Sequence, residues 1–441
     1  MAAADKVCVI GAGGSGVVAC QVLNAQRIPF DCFEKGSYVG GNWRYENDNG
    51  MSSAYRSLHI NTSRRVMAFK TLPMPDHYPD YPNHFQMAAY FDEYVDHFGL
   101  REKIRFRTEV VGVEPVDGEW EVTVEDAEGN RETDRYRAVL VANGHHWDPR
   151  WPEPAFPGAE EFSGEQMHAH HYREPDVLPG KRVLVLGIGN SAVDIAVESS
   201  RIADKTFLAT RRGAYILPKY INGKPVDEIA NPLSARVPLA IQRFFATRAL
   251  GVASAADPTA YGLPKPDHKL FEAHPTVSSE LLPRLGHGDI EVKPNIERFG
   301  GGRTVRFVDG SEEEIDLVVY CTGYKMTFPF FDPEVFAAPD NRLPLYRRVV
   351  SAERPGLYFI GFIQPLGPIM PLAEAQVEWV ADLLAGRVTL PPPGQMRGEI
   401  ASEEAKMRKR FVASKRHTVE VDFYPYLREI RRERKQVAQP A

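Results

Sequence analysis

Two glycine-rich turns of one design lie far apart in this chain, Gly11-Ala12-Gly13-Gly14-Ser15-Gly16 and Gly187-Ile188-Gly189-Asn190-Ser191-Ala192. Each comes after a short apolar strand, Lys6 to Ile10 in the first case and Arg182 to Leu186 in the second, and each opens a helical stretch. The first two glycines let the backbone bend sharply and approach a pyrophosphate. The third small residue lets helix and strand pack closely, and the phosphates then face unpaired helix N–H groups. A single such turn is weak testimony; strand, turn and helix in this order, twice, predict two bound dinucleotides.

The residues downstream of each turn separate the two ligands. After the first, the helix from Ser15 to about Gln26 leads to the strand Phe30-Asp31-Cys32-Phe33-Glu34, and Glu34 stands where a carboxylate accepts from ribose hydroxyls, which suits FAD or NAD. After the second, the helix through Asp194 leads to Thr206–Thr210, and the strand ends on Arg211-Arg212. A guanidinium there matches a 2′-phosphate in charge and geometry, so the second nucleotide is expected to be NADPH. A pair of solvated surface arginines is the competing reading.

The 441 residues suffice for two or more domains, with ordinary globular fractions of apolar and charged residues. A net charge of −6 gives no reason to expect nucleic-acid binding. No apolar run is long enough to span a bilayer, and no secretion signal is seen, so a cytoplasmic location is expected. Cys8, Cys20, Cys32 and Cys321 fall in predicted strands or helix without metal-ligand spacing or a CxxC pair, and read as reduced core residues. Three neighbouring histidines, His168, His170 and His171, invite a metal reading, but no cysteine lies nearby and ordering of a linker is favoured over zinc.

The expected fold class is α/β, with two Rossmann-like dinucleotide-binding domains and the NADPH domain inserted in the FAD domain. The first part of the FAD domain takes residues 1–160, including a mainly β segment around Ile104 to Val141. The NADPH domain takes 161–314, after the proline-rich stretch Pro149 to Pro157 and with an insertion at about 214–263. Residues 315–441 then return to the FAD domain, starting with the strand and glycine turn Ile315–Tyr324 and including a helical Leu372–Leu384 stretch and a charged tail.

Between the turns lies a third signature, Phe162, Gly164, His168 and Tyr172 in the frame FxGxxxHxxx(F/Y). With it, and with Gly40-Gly41-Asn42-Trp43-Arg44-Tyr45, His59-Ile60-Asn61-Thr62-Ser63, Cys321-Thr322-Gly323-Tyr324 and Ile363-Gln364-Pro365-Leu366-Gly367, nearly the whole chain resembles the flavin-containing monooxygenases, a family of class B flavoprotein monooxygenases. The resemblance implies an enzyme in which NADPH reduces FAD, dioxygen forms a C4a-hydroperoxyflavin, and a soft nitrogen or sulfur atom of a small molecule takes the distal oxygen as water is released. It implies FAD contacts at Gly11, Gly13, Gly16, Glu34, Lys35, Asn42, Trp43, Thr62 and, near the flavin, Gln376. It implies NADPH contacts at Gly187, Gly189, Asn190, Ser191, Asp194 and Arg211, beside Arg212. Asn61 aligns with the family's active-site asparagine, whose amide can donate to the oxygenated flavin and touch retained NADP⁺; on the bare sequence a turn-forming Asn beside Thr62 and Ser63 is the competing, less favoured reading.

The partners expected are a small nucleophilic substrate and O2, with no nucleic acid; a homodimer is compatible with the sequence. The insertion carries the apolar stretch Val237–Leu250, with Phe244 and Phe245, interrupted by arginines. It is expected to help form the substrate tunnel, membrane-surface contact being the less favoured reading. Three rival functions stay open: Baeyer-Villiger oxygenation of ketones, which Tyr172 disfavours because a Trp is usual there in that group, the narrower N-hydroxylation of one defined amine such as an amino acid, and a nucleotide-binding redox sensor with little turnover.

Overall fold

The computed structural model describes residues 5–229, 234–253, 257–411 and 418–435. Two compact units result. The first takes Met1–Ala54, Thr62–Asp148 and Lys325–Ala441; the second takes Tyr55–Asn61 and Pro149–Tyr324.

In the first unit, the strands of a seven-stranded sheet lie in the order Leu345–Tyr346, Val350–Ser351, Leu357–Phe359, Ala138–Val141, Val7–Ile10, Phe30–Phe33, Ile104–Arg105. The five from Leu357–Phe359 to Ile104–Arg105 are parallel. Val7–Ile10 is central and wholly buried, as its unbroken apolar run requires of a strand covered on both faces. The helix Gly14–Ala25 crosses from it to Phe30–Phe33 and packs against the helix Met370–Leu384, which has Gly386 just past its end. Two further helices that the charge-rich tail conceals, Pro393–Arg410 and Phe423–Glu433, are pinned by Arg347. Its guanidinium pairs with Glu399 at 2.6 Å, Glu429 at 3.1 Å and Glu433 at 2.8 Å.

The second unit repeats the plan with five parallel strands in the order Ile290–Lys293, Lys205–Ala209, Arg182–Leu186, Leu317–Tyr320, Glu165–His168. Alternate side chains fill two cores. Val183, Val185, Leu208, Leu317 and Val319 face the helix side, while Leu184, Leu186, Phe207, Val318 and Tyr320 face Phe299, Val305 and Phe307 on the other. Each unit also carries a three-stranded antiparallel meander, Thr108–Val116 with Glu119–Asp126 and Arg131–Tyr136 in the first, Ile296–Phe299 with Thr304–Phe307 and Glu312–Glu314 in the second.

The boundaries differ from those expected at 160/161 and 314/315. The segment Ile315–Tyr324 does not lead straight back into the first unit, because Leu317–Tyr320 pairs between Arg182–Leu186 and Glu165–His168. The place beside Ala138–Val141 that a returning strand would take is filled instead by Leu357–Phe359. The proline-rich stretch from Pro149 belongs to the second unit, as does the short excursion Tyr55–Asn61.

The insertion lies in the second unit. Its helix Leu239–Ala253 leaves Phe244 and Phe245 exposed, at 52% and 65%. It is fastened by Arg243, which pairs with Glu272 at 3.1 Å and donates to the Leu270 carbonyl. Residues 230–233 and 254–256 of the expected tunnel segment lie outside the described residues.

The tightest steric requirement sits at the third glycine of the first turn. A Cβ on Gly16 would stand 1.8 Å from the Gly11 carbonyl oxygen, and backbone cannot move aside as a side chain can. Gly16→Ala is therefore expected to cost about 3 kcal/mol or more, at the upper end of overpacking penalties, and urea unfolding should show a lowered midpoint; a native midpoint would mean that the turn is not packed this way.

Candidate dinucleotide sites

Both glycine turns begin helices that no side chain caps. At Gly13 and at Gly189 the N-cap makes no side-chain hydrogen bond. The helix His84–His97, by contrast, is closed by a reciprocal capping box between Asn83 and Gln86. Open first-turn N–H groups at the carboxyl ends of parallel strands are what an anionic pyrophosphate requires.

In the first turn, Gly11 has a φ of +94° and packs on Ala142 and Asn143 of the neighbouring strand end. Glu34 is buried and partly committed. Its carboxylate accepts from the N–H of Ala12 at 2.8 Å, the N–H of Gly36 at 2.8 Å and Asn49 Nδ2 at 3.1 Å. Of roughly four acceptor positions on a carboxylate, this leaves one for a ribose hydroxyl, and the residue also braces the turn. Lys35 is exposed and paired with Glu109 at 2.9 Å. Asn42 and Trp43 lie on the short helical turn Gly41–Trp43. There Asn42 Oδ1 accepts from the Ser53 N–H and hydroxyl, both at 2.8 Å, so its side chain shapes the loop.

Gln376 is wholly buried. It accepts from the Gly361 N–H at 2.8 Å and donates to Tyr426 at 2.7 Å, and so holds the loop that lies against Ser15 rather than reaching into the site itself. Asn143, which no sequence motif singles out, has a buried Oδ1 without a partner among the described residues, beside Gly11. Its place just after the Ala138–Val141 strand is the one signal that could have found it. An orphaned acceptor and an uncapped helix end fit a bound dinucleotide at this turn.

In the second turn, Gly187 has a φ of +139°, and a Cβ there would come 2.8 Å from the Cys321 carbonyl oxygen. The turn is closed over by the strand Thr276–Val277. Thr276 donates to the Ile188 carbonyl at 2.6 Å, and Asn190 Oδ1 accepts from the Val277 N–H at 2.8 Å, so the Asn190 amide oxygen is used internally. Ser191 sits half-buried in the first turn of the helix Asn190–Ser199. The two arginines after Lys205–Ala209 differ: Arg212 pairs with Asp267 at 2.8 Å, whereas Arg211 is exposed and makes no ion pair among the described residues. One guanidinium is thus available to a phosphate and one is spent.

Asp194, on the same helix, accepts from the Tyr55 hydroxyl at 2.6 Å, and burial holds its carboxyl above the usual range. Asn61 and Thr62 are both half-buried, Asn61 as the last residue of the excursion into the second unit and Thr62 as the first of the next stretch. The signature frame has a structural explanation. Phe162 packs on Phe299 at 4.7 Å, Gly164 leaves room for the Phe162 ring, and the Tyr172 hydroxyl donates to Glu198 at 2.6 Å. Among the described residues no three His, Cys, Asp or Glu side chains gather as a metal site, and no helix is long and apolar enough to cross a membrane.

Paired parallel-sheet units, each with an uncapped glycine turn, define a protein of the two-dinucleotide oxidoreductase class. The chain belongs to the flavin-binding monooxygenase-like family, whose profile matches residues 4–438. It is 38% identical over 444 residues to flavin-containing monooxygenase 5 of Rattus norvegicus, covering 97% of this chain and 82% of that protein. To dimethylaniline monooxygenase [N-oxide-forming] 2 of Mus musculus it is 32% identical over 443 residues, covering 97% and 82%. Among solved structures, S-allyl-L-cysteine S-oxygenase from Allium sativum superposes with a TM-score of 0.74 at 26% identity, over 99% of this chain and 89% of that one. Closed cyclohexanone monooxygenase shares the fold, with a TM-score of 0.73 at 18% identity over 99% and 97%.

His168 is fully buried, its Nδ1 accepts from the His170 N–H at 3.0 Å, and burial lowers its pKa to about 4. Between about pH 6.5, where an unfolded His titrates, and about pH 4 the unfolded chain binds a proton that the native one refuses, so stability falls as pH falls. The full loss is about 3 kcal/mol. His168→Asn keeps an acceptor near Nδ1 without titrating, and the urea midpoint of this variant is expected to drop less between pH 7.5 and pH 5 than that of the native protein.

Proposed function

We propose that this chain is an NADPH- and FAD-dependent monooxygenase that places one atom of O2 on a soft nitrogen or sulfur atom of a small molecule, the other leaving as water. The balance is one NADPH, one proton and one O2 consumed per oxygenated product, with NADP⁺ and water released. Bound flavin supplies the two-electron chemistry that activates dioxygen. What carries the reading is the asymmetry of the two turns in a chain of this family: both helix ends are open, and at the end of the next strand the second has Arg211, exposed and without an ion pair among the described residues, where the first has Lys35 paired with Glu109. The named N-oxide-forming and S-oxygenase relatives support nitrogen or sulfur as the acceptor.

On this reading the residues divide the work. The open first-turn amides of Gly14, Ser15 and Gly16 hold the FAD pyrophosphate, with Glu34 bracing the turn through the Ala12 N–H and offering its last acceptor position to the ribose. Gly187, Gly189 and the amides of Asn190 and Ser191 hold the NADPH pyrophosphate, and Arg211 takes the 2′-phosphate. Arg212, tied to Asp267, orients the strand end. Asn61 supplies a carboxamide N–H where charge develops on reacting oxygen, a donor fixed before the reaction begins. Trp43 and Thr62 line the flavin site through the loops that carry them, and Asn42 and Gln376 support it from behind.

Arg211→Ala should raise the KM for NADPH roughly thirtyfold, as expected for a lost charged contact of about 2 kcal/mol, and leave NADH almost untouched, with Arg212→Ala smaller in effect. Steady-state kinetics with both coenzymes decide, and equal losses would remove the phosphate from Arg211. Asn61→Ala should be reduced by NADPH at a native rate yet release most of its oxygen as hydrogen peroxide. Product and peroxide measured against NADPH consumed, with a thioether and a tertiary amine as substrates, test that role and the oxygenation chemistry together.

A further inference from the structure

Two tyrosines converge on one face of the helix Asn190–Ser199. The Tyr55 hydroxyl donates to Asp194 and the Tyr172 hydroxyl to Glu198, both at 2.6 Å. The two carboxylates are one helical turn apart, so they lie on the same face. The tyrosine rings pack together at 6.0 Å with an interplanar angle of 58°, and both residues are buried. Around them the Arg56 N–H donates to the Arg173 carbonyl at 2.8 Å, the Arg56 side chain pairs with Glu174 at 3.2 Å, and Leu58 packs into the core that holds Val193 and Ile195. The Lys219 ammonium and His59 lie near Asp194.

Tyr55 and Tyr172 are part of the core of the second unit, with Leu58 packed against it. Tyr55 is reached by a seven-residue excursion, Tyr55–Asn61, out of a segment that otherwise builds the first unit. The one candidate for chemistry in that excursion is its last residue, Asn61.

We infer that Tyr55 and Tyr172, with Asp194 and Glu198, form a clasp that fastens the Asn61 segment to the helix starting at the second glycine turn. These four are positioning residues, and Asn61 is carried by the coenzyme unit. The clasp also gives Asp194 a fixed partner, since its carboxylate accepts from the Tyr55 hydroxyl. The consequence for turnover rests on the reading of Asn61 given above; the clasp itself does not.

Amide hydrogen exchange on the full-length flavin-loaded protein tests the clasp without turnover. In Tyr55→Phe, residues 56–61 should exchange at least tenfold faster than in the native protein, while the strand Arg182–Leu186 keeps its protection. Asp194→Asn, which keeps an acceptor for the tyrosine, should retain most of the protection that Asp194→Ala loses. Exchange of residues 56–61 in Tyr55→Phe within twofold of native would overturn the clasp, as would equal loss in the two Asp194 variants. In the same variants, the share of NADPH electrons appearing as hydrogen peroxide should rise several-fold in Tyr55→Phe with an unchanged rate of flavin reduction. If Asn61→Ala keeps native coupling, the reading of Asn61 fails while the exchange data still decide the clasp; if Asn61→Ala leaks peroxide and Tyr55→Phe does not, positioning by the clasp fails and the reading of Asn61 stands.

Discussion

A helix that must receive an anion has to leave its first N–H groups unpaired, and each such group buried without a partner is costly until the ligand arrives. At Gly13 and Gly189 the chain accepts that cost twice, placing residues without capping oxygens where Asn83 serves the ordinary helix His84–His97. The first helix adds a second burden. Gly14 and Gly16 lie inside it, each worth about 0.5–1 kcal/mol less than Ala in helix formation. Tertiary contacts supply the compensation: Val17 to Leu23 are buried against the sheet and the helix Met370–Leu384. The second helix is steadied by the hydroxyls of Tyr55 and Tyr172 on its carboxylates and by the Val277 N–H on Asn190.

That constraint explains which parts of the molecule are legible in the sequence. The strand, turn and helix units are local, so Gly11 to Gly16 and Gly187 to Ala192 announce themselves, as does the central strand Arg182–Leu186. Arg211 and Arg212 are equally visible, but not the difference between them, which depends on Asp267, a partner 55 residues away from Arg212. Tyr55 and Asp194 are 139 residues apart, and nothing in their local sequence pairs them. Tyr172 stands out as a motif position without its acceptor. The return to the first unit cannot be placed at Ile315–Tyr324 from sequence, because Leu-Val-Val-Tyr is an apolar run that suits a central strand of either sheet.

Glu34 and Gln376 show a subtler limit. Each stands where a ligand contact is expected, and each is engaged by the protein: Glu34 spends about three of its four acceptor positions on Ala12, Gly36 and Asn49, and Gln376, wholly buried, binds Gly361 and Tyr426. Position in a motif identifies a residue that the site needs. Whether the need is for contact or for support depends on how many donors surround the side chain, which only the folded backbone decides.

The same accounting separates the two turns electrostatically. In the first unit the cations near the turn are answered: Lys35 by Glu109 and Arg44 by Asp92 at 2.7 Å. Attraction for an anion there comes from the open helix end, about half a unit charge, which matches a pyrophosphate without discriminating a further phosphate. In the second unit the open helix end is joined by Arg211, exposed and unpaired among the described residues, while its neighbour is neutralised by Asp267. If Arg211 takes a 2′-phosphate as proposed, a full charge added beside one turn is what separates two copies of one architecture in their choice of dinucleotide.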